Sequence, residues 1–408
     1  MKLKLLFILH FTIFFTASVK TDWQQQTSGT TENLFSSYFI NMNTGWVVGA
    51  NGKILFTSNG GTTWSPQTSG TTQTLFDVKF PSALNGFIIG GSNTFLKTTN
   101  GGVNWVLLTV PNMTSTNDLD FTDNNTGYVC GAEGDVSRTT NGGVSWTKFD
   151  ITSSDLVTIK VFDAATVIAA GVSGSVFKTT NSGANWVQQT TGTNNFVSSI
   201  VFTDNNNGYF TTLGLTEAVF RTTNGGTNWT EVTSPGNTSG LNGLSMVNSS
   251  TVYGAGPDGV IRRTTNSGST WETQPSGDTT SFLRGITMVD GSIGYIVGNN
   301  GRILKTVNGG IGIQQISTNV PEGFKLSQNY PNPFNPVTNI TFSVPKTSEV
   351  KLTVYDAAGK QTAALFNGRL SAGTYNYDFD AAHLASGIYF YTLEAESFIE
   401  TKKMVLVK

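Results

Sequence analysis

Charge is scarce in this chain: Lys, Arg, Asp and Glu make up 12% of its 408 residues, against roughly a quarter in an average globular protein. The formal net charge is only -2. That leaves no field to track nucleic-acid phosphates or to gather the protein on an anionic membrane, and no nucleic-acid partner is expected. Histidine is scarcer still, at His10 and His383. Neither lies in residues 23–310, so histidine triads, histidine-ligated zinc and histidine general bases are excluded there. The one cysteine, Cys130, cannot form an internal disulfide. Its place in the apolar run Gly127-Tyr128-Val129-Cys130-Gly131 predicts a buried small hydrophobe. No metal and no cofactor is implied.

Long apolar runs are missing beyond the first residues. Met1-Lys2-Leu3-Lys4, the apolar residues 5–15 and the small Ala17 and Ser18 predict a secretory signal peptide over residues 1–18. Later runs fall short of the ~18 apolar residues that a membrane helix needs, so the mature chain is expected to have no transmembrane segment.

What the chain has in quantity is repetition. Copies of Thr-x-Asn-Gly-Gly-x-x-Trp place an asparagine at Asn59, Asn100, Asn141, Asn181, Asn224, Asn266 and Asn308, 40 to 43 residues apart. That interval, with turn residues in every unit, is that of a four-stranded propeller blade. Asn-Gly-Gly and Asn-Ser-Gly tolerate positive φ and let the asparagine cap its own backbone. Five residues on stands a tryptophan, at Trp64, Trp105, Trp146, Trp186, Trp229 and Trp271, with Ile313 in the seventh copy. Burying one is worth on the order of 4 to 6 kcal/mol gross, which predicts core rather than a ligand cage.

Each unit reads as four strands, A to D. A, B and C occur seven times, whereas D candidates number eight once Trp23 and Ile313 are both included. Trp23-Gln24-Gln25-Gln26-Thr27 matches Trp186-Val187-Gln188-Gln189-Thr190, so the N-terminal strand is expected to complete the last blade. The reading is all-β: a seven-bladed β-propeller over residues 23–310, a linker over 311–325, and a small Ig-like β-sandwich over 326–408.

The repeat resembles the Asp-box of bacterial neuraminidases, and the whole unit resembles the propeller family named for photosystem II assembly factors. Asparagine stands where the Asp-box usually has aspartate. The turn role is kept and the charge is lost, and the resemblance implies a structural rather than a catalytic motif.

The second domain carries its own resemblance. Asn329-Tyr330-Pro331-Asn332-Pro333-Phe334-Asn335-Pro336, Val354-Tyr355-Asp356-Ala357-Ala358-Gly359-Lys360, Ala385-Ser386-Gly387-Ile388-Tyr389-Phe390-Tyr391 and the final Lys402-Lys403-Met404-Val405-Leu406-Val407-Lys408 closely resemble the type A C-terminal sorting domain of proteins exported by type IX secretion. That implies recognition by the secretion machinery and arrival, secreted or on the cell surface, at the outer membrane.

Two features remain as candidate sites. A cation recurs three residues before the asparagine, at Lys97, Arg138, Lys178, Arg221, Arg263 and Lys305, with Phe56 in the first unit. It is expected as a ring of solvated strand ends with apolar stems. Aligning the A strands puts Ser36, Asp77, Asp118, Thr158, Ser199, Gly243 and Gly285 at one position near the axis. Asp77 and Asp118 on adjacent blades are the only acidic pair there, and they are expected to be hydrated aspartates rather than an acid and base. The functional expectation is a non-enzymatic binding protein for a glycan or another protein. The alternative is a secreted glycoside hydrolase of sialidase-like propeller architecture.

Overall fold

The computed structural model describes residues 23–214, 217–232, 240–274, 276–277, 279–307, 309–310, 314–381 and 384–408. The signal peptide, Asn308, Ile313 and His383 fall outside them. Among the described residues the strands make nine four-stranded antiparallel sheets, seven of them before residue 311. In six of the seven the chain runs A-B-C-D outward; the first is Leu34–Phe39, Gly45–Gly49, Ile54–Thr57 and Ser65–Gln67. We number these sheets as blades 1 to 7.

Blade 7 is the exception in connectivity. Its outer strand is Gln24–Gln26 from the N-terminus, paired with Ile303–Thr306 in the register Gln24↔Lys305, Gln25↔Leu304 and Gln26↔Ile303. Trp23 is fully buried there, and its indole Nε1 donates to Gln274 Oε1 at 2.8 Å. Trp105 makes the same bond to Gln67 at 3.0 Å in blade 2. The borrowed strand therefore docks on its neighbour as a native outer strand does.

Burial follows the layers. Gly45–Gly49, Gly86–Gly90 and Gly294–Gly298 of strand B are buried at every residue, because each blade is sandwiched between two others. Apolar side chains gather between blades rather than within them. Phe39, Leu55 and Trp64 of blade 1 pack on Tyr295, Val297 and Ile303 of blade 7, and a similar cluster fills each of the other six junctions. The ring is thus closed by core as well as by hydrogen bonds.

The other two sheets form a sandwich. One holds Gln314–Ser317, Gly373–Asp380, Val337–Val344 and Lys325–Leu326; the other holds Gln361–Leu370, Ser348–Asp356, Gly387–Ala395 and Phe398–Leu406. Their shared core includes Phe334, Phe342, Leu352 and Tyr391. This corrects the expected linker over 311–325. Gln314-Gln315-Ile316-Ser317 carries the polar pattern of a propeller outer strand, but it pairs on Gly373–Asp380 as an edge of the sandwich. The physical reason is that the place in blade 7 is already taken by Gln24–Gln26.

The proline-rich segment is clamped to the last strand. Phe334 is buried, its N–H donates to Val405 O at 2.9 Å, and Val407 N–H returns a bond to Phe334 O at 3.0 Å. Asn332 Oδ1 accepts from Val405 N–H at 2.9 Å. Asn335 and Pro336 lead into the strand Val337–Val344, with Pro336 O accepting from Ala381 N–H. Pro333 lies between these anchors. Gly359 takes φ +78 in the turn where Asp356 Oδ1 accepts from the N–H groups of Ala358 and Lys360, and Tyr389 closes onto Ala385 O at 2.8 Å. The motif residues hold this sandwich together from both ends of its sequence.

Candidate binding site in the propeller channel

The repeated turns account for themselves. Thr98 Oγ1–H donates to Asn100 Oδ1 at 2.9 Å, the same Thr98 oxygen accepts from Gly102 N–H at 2.9 Å, and Asn100 Oδ1 accepts from Asn104 N–H at 3.0 Å. The pattern recurs at Asn59, Asn141, Asn181, Asn224 and Asn266. The asparagine acts as acceptor toward a neutral hydroxyl and an amide, so aspartate's charge is dispensable. Gly102 is required: it sits at φ +83, and a Cβ there would run into Gln67 and the Trp46 ring.

The recurring cations do more than end strands in solvent. Lys97 Nζ donates to Gly142 O at 2.8 Å, Lys178 to Gly225 O at 2.7 Å, and Lys305 to Gly60 O at 2.6 Å. Each acceptor is the first glycine of the next blade's turn, and Lys305 reaches from blade 7 to blade 1. Arg138 and Arg263 lie over Tyr128 and Tyr253, with 5.9 and 5.7 Å from guanidinium carbon to ring centroid. The expectation of solvated ends is therefore corrected: with burial on both sides, the nearest acceptor is the neighbouring blade.

On the axis, the seven aligned A-strand residues do share one level. Each is paired across to strand B at the same place, for example Ser36↔Val48, Asp77↔Ile89, Asp118↔Cys130 and Gly285↔Val297, and all seven line one cavity of about 410 Å³. In blades 1, 2, 4, 5 and 7 a register shift immediately precedes this residue. A bulge re-aims side chains, which puts two successive residues of strand A on the cavity wall.

Asp77 and Asp118 are brought together on the channel wall, each half-buried and bonded to protein groups. Asp77 accepts from the Ser36 hydroxyl of blade 1, and its second oxygen lies 3.8 Å from Lys79 Nζ. Asp118 accepts from Leu119 N–H and, across the junction to blade 4, from Ile159 N–H, both at 2.8 Å. Burial and the adjoining Asp77 carboxylate push Asp118 well above the ordinary carboxylate range. Burial alone would lower Lys79, but Asp77, Asp120 and Asp118 outweigh it and raise it. Two residues further along strand A, Asp120 takes Lys160 Nζ at 2.7 Å and Val161 N–H at 2.9 Å. The sequence reading missed Lys79, Asp120 and Lys160, although the same alignment carried on two residues would have found them.

Hydroxyls serve where carboxylates are absent. Thr158 accepts from Ile200 N–H at 3.3 Å, Ser199 from Leu244 N–H at 3.3 Å, and Ser245 from Met288 N–H at 2.9 Å. Thr287 of blade 7 donates to Ser37 O of blade 1 at 2.8 Å. The inner ring is a circle of inter-blade latches. Among the described residues no group of three or more His, Cys, Asp or Glu side chains is placed to hold a metal.

Comparison with known proteins agrees with this geometry. Residues 67–194 and 103–232 match the family described as Photosynthesis system II assembly factor YCF48, and residues 328–408 match the Secretion system C-terminal sorting domain family. The chain joins propeller repeats of the YCF48 type to a secretion sorting domain. Similar solved structures include YCF48 bound to a D1 peptide, at 22% identity and TM-score 0.60 over 70% of this chain and 95% of that one. YCF48 from Cyanidioschyzon merolae is 21% identical with TM-score 0.60, over 70% and 98%. The GH74 xyloglucanase from Xanthomonas campestris is 11% identical with TM-score 0.58, over 79% and 59%. At these identities the likeness speaks for the propeller fold. No curated protein sequence matches the chain. The sorting domain marks the protein as secreted or displayed at the cell surface.

Proposed function

We propose that the propeller is a non-enzymatic binding protein for a glycan or another surface protein, carried to the outer membrane by type IX secretion and anchored or released there. The observation that supports it is the use made of the channel carboxylates. Asp118 and Asp120 accept backbone N–H groups of the next blade, and Asp77 accepts the Ser36 hydroxyl. Groups spent on holding blades together are poorly placed to exchange protons with a substrate. YCF48, a propeller of the same fold, is described as bound to a D1 peptide, which fits a binding role.

The second reading, a glycoside hydrolase, has one observation in its favour: Asp118, raised by burial and by the neighbouring carboxylate, stands beside Asp77, and glycoside hydrolysis uses a pair of carboxyl groups. The test is a screen of the mature chain for binding to glycan arrays and cell-envelope fractions, run beside hydrolysis assays on aryl glycosides and polysaccharides. The expected result is binding without turnover. Turnover abolished by Asp77→Asn or Asp118→Asn would replace the binding reading with the hydrolase. For export, removing residues 402–408 takes away half of the strand clamped to Phe334. It should leave the propeller in the periplasm, as mass spectrometry of cell fractions would report.

A further inference from the structure

One channel residue breaks the latch pattern. The residue just before the inner-ring position is Phe35, Phe76, Asn117, Val157, Ser198 or Asn242 in blades 1 to 6 and Arg284 in blade 7. Asn117 and Asn242 each donate to the first strand-A residue of the next blade, at 2.8 and 2.7 Å, and Ser198 donates to Leu241 O just before strand A of the next blade, at 3.2 Å. Arg284 instead points Nε at Asn299 Oδ1 of its own blade, 2.7 Å away. Its guanidinium carbon stands 4.4 Å from the Phe35 ring centroid and 4.9 Å from that of Phe282.

No carboxylate among the described residues is within ion-pair distance of Arg284, and its two terminal nitrogens make no hydrogen bond to them. Burial lowers its pKa with nothing to offset it. A half-buried cation without a counter-ion costs free energy that an incoming anion would recover. The planar fork suits a carboxylate, and the Phe35 and Phe282 rings that the guanidinium lies over fix its plane.

Other features narrow the ligand. The Oδ1 atoms of Asn117 and Asn242 accept nothing from the described residues and are open to hydroxyl donors. Glu32 and Glu133, on the loops at this end of the channel, disfavour a polyanion. The cavity, about 410 Å³, lies toward the small end of ligand sites and admits a chain end rather than a length of chain.

We propose that this end of the channel binds the terminal uronic acid residue of an extracellular glycan, its carboxylate on Arg284 and a hydroxyl on Asn242. The inference rests on the binding reading above and names the class of glycan. Titration calorimetry at low salt on the chain from Trp23 to Lys408 would compare a galacturonate disaccharide, its neutral galactose counterpart and a neutral tripeptide with a free C-terminal carboxylate. The uronate alone should bind. Arg284→Gln should weaken it about tenfold or more, Arg284→Lys should weaken it less, and Phe35→Leu should weaken it severalfold, with unchanged melting temperatures. Equal binding of the neutral sugar, preference for the peptide acid, unchanged affinity in Arg284→Gln and Arg284→Lys, or no uronate binding at all would each overturn it. Envelope material that still binds in that last case would leave the broader reading standing.

Discussion

The turn side of the propeller and its channel wall are built from the same seven repeats, yet they differ in how faithfully they repeat. On the turn side, Thr98, Asn100 and Gly102 have counterparts in each of blades 1 to 6, down to the same hydrogen bonds. On the wall, one level reads serine, aspartate, aspartate, threonine, serine, glycine and glycine, and the residue before it ranges from phenylalanine to arginine. What repeats solves a problem every blade shares, which is holding its neighbour. On the wall the same duty is met by whichever carboxylate, hydroxyl or amide stands there, and Arg284, bonded within its own blade, departs furthest.

The largest test of that contrast attacks closure. Deleting residues 23–29 removes the outer strand of blade 7 and the buried Trp23, and should cost several kcal/mol, about 3 to 5 from the tryptophan alone. Chemical denaturation would measure it. A loss under about 1 kcal/mol would mean that the other strands close the ring unaided.

A smaller effect is expected from Lys305→Met, which keeps the apolar stem but removes the bond to Gly60 O across the closing junction. A loss of about 1 to 2 kcal/mol is anticipated. Lys97→Met, between blades 2 and 3, should match it if the strut is a repeated device. A large difference between the two would make the closing junction special.

The smallest effect lies in the channel. Asp118 is raised in the folded state, so the folded protein holds its proton after the unfolded chain has lost it near pH 4. Its contribution is fully present below that point and declines as pH rises through the folded value, with a slope no steeper than about 1.4 kcal/mol per pH unit. Asp118→Asn should flatten this decline, so the variant gains on the parent as pH rises from 4. Parallel stability profiles for the two would show that Asp118 is ionised in the fold.

Much of this was legible in order along the chain. The turn motif, the tryptophan five residues on and the surplus outer strand are local patterns, and their physics is local: positive φ at glycine, a capping side chain, apolar alternation. The strand Gln361–Leu370 is hidden in the sequence because Asn367-Gly368-Arg369 interrupts its pattern, and only pairing with Ser348–Asp356 settles it. Gln314–Ser317 was legible as a strand type but not in its partner. The candidate site was half visible: alignment found Asp77 and Asp118 on the channel wall but not the bonds they make to the adjoining blades.

The sequence by itself determined the repeat, the number of blades it could build, the turns and the address at the C-terminus, because each depends on residues within a few positions of one another. Only the tertiary structure decided the register that Gln24–Gln26 took against Ile303–Thr306, which acceptors the recurring lysines reached, that Asp118 met Asp77 across a blade junction, and that Arg284 found no counter-ion among the described residues. These are contacts between residues about 40 to 280 positions apart. They exist only once the ring is closed, because closure places the last blade against the first and shuts most of the water out of the space between.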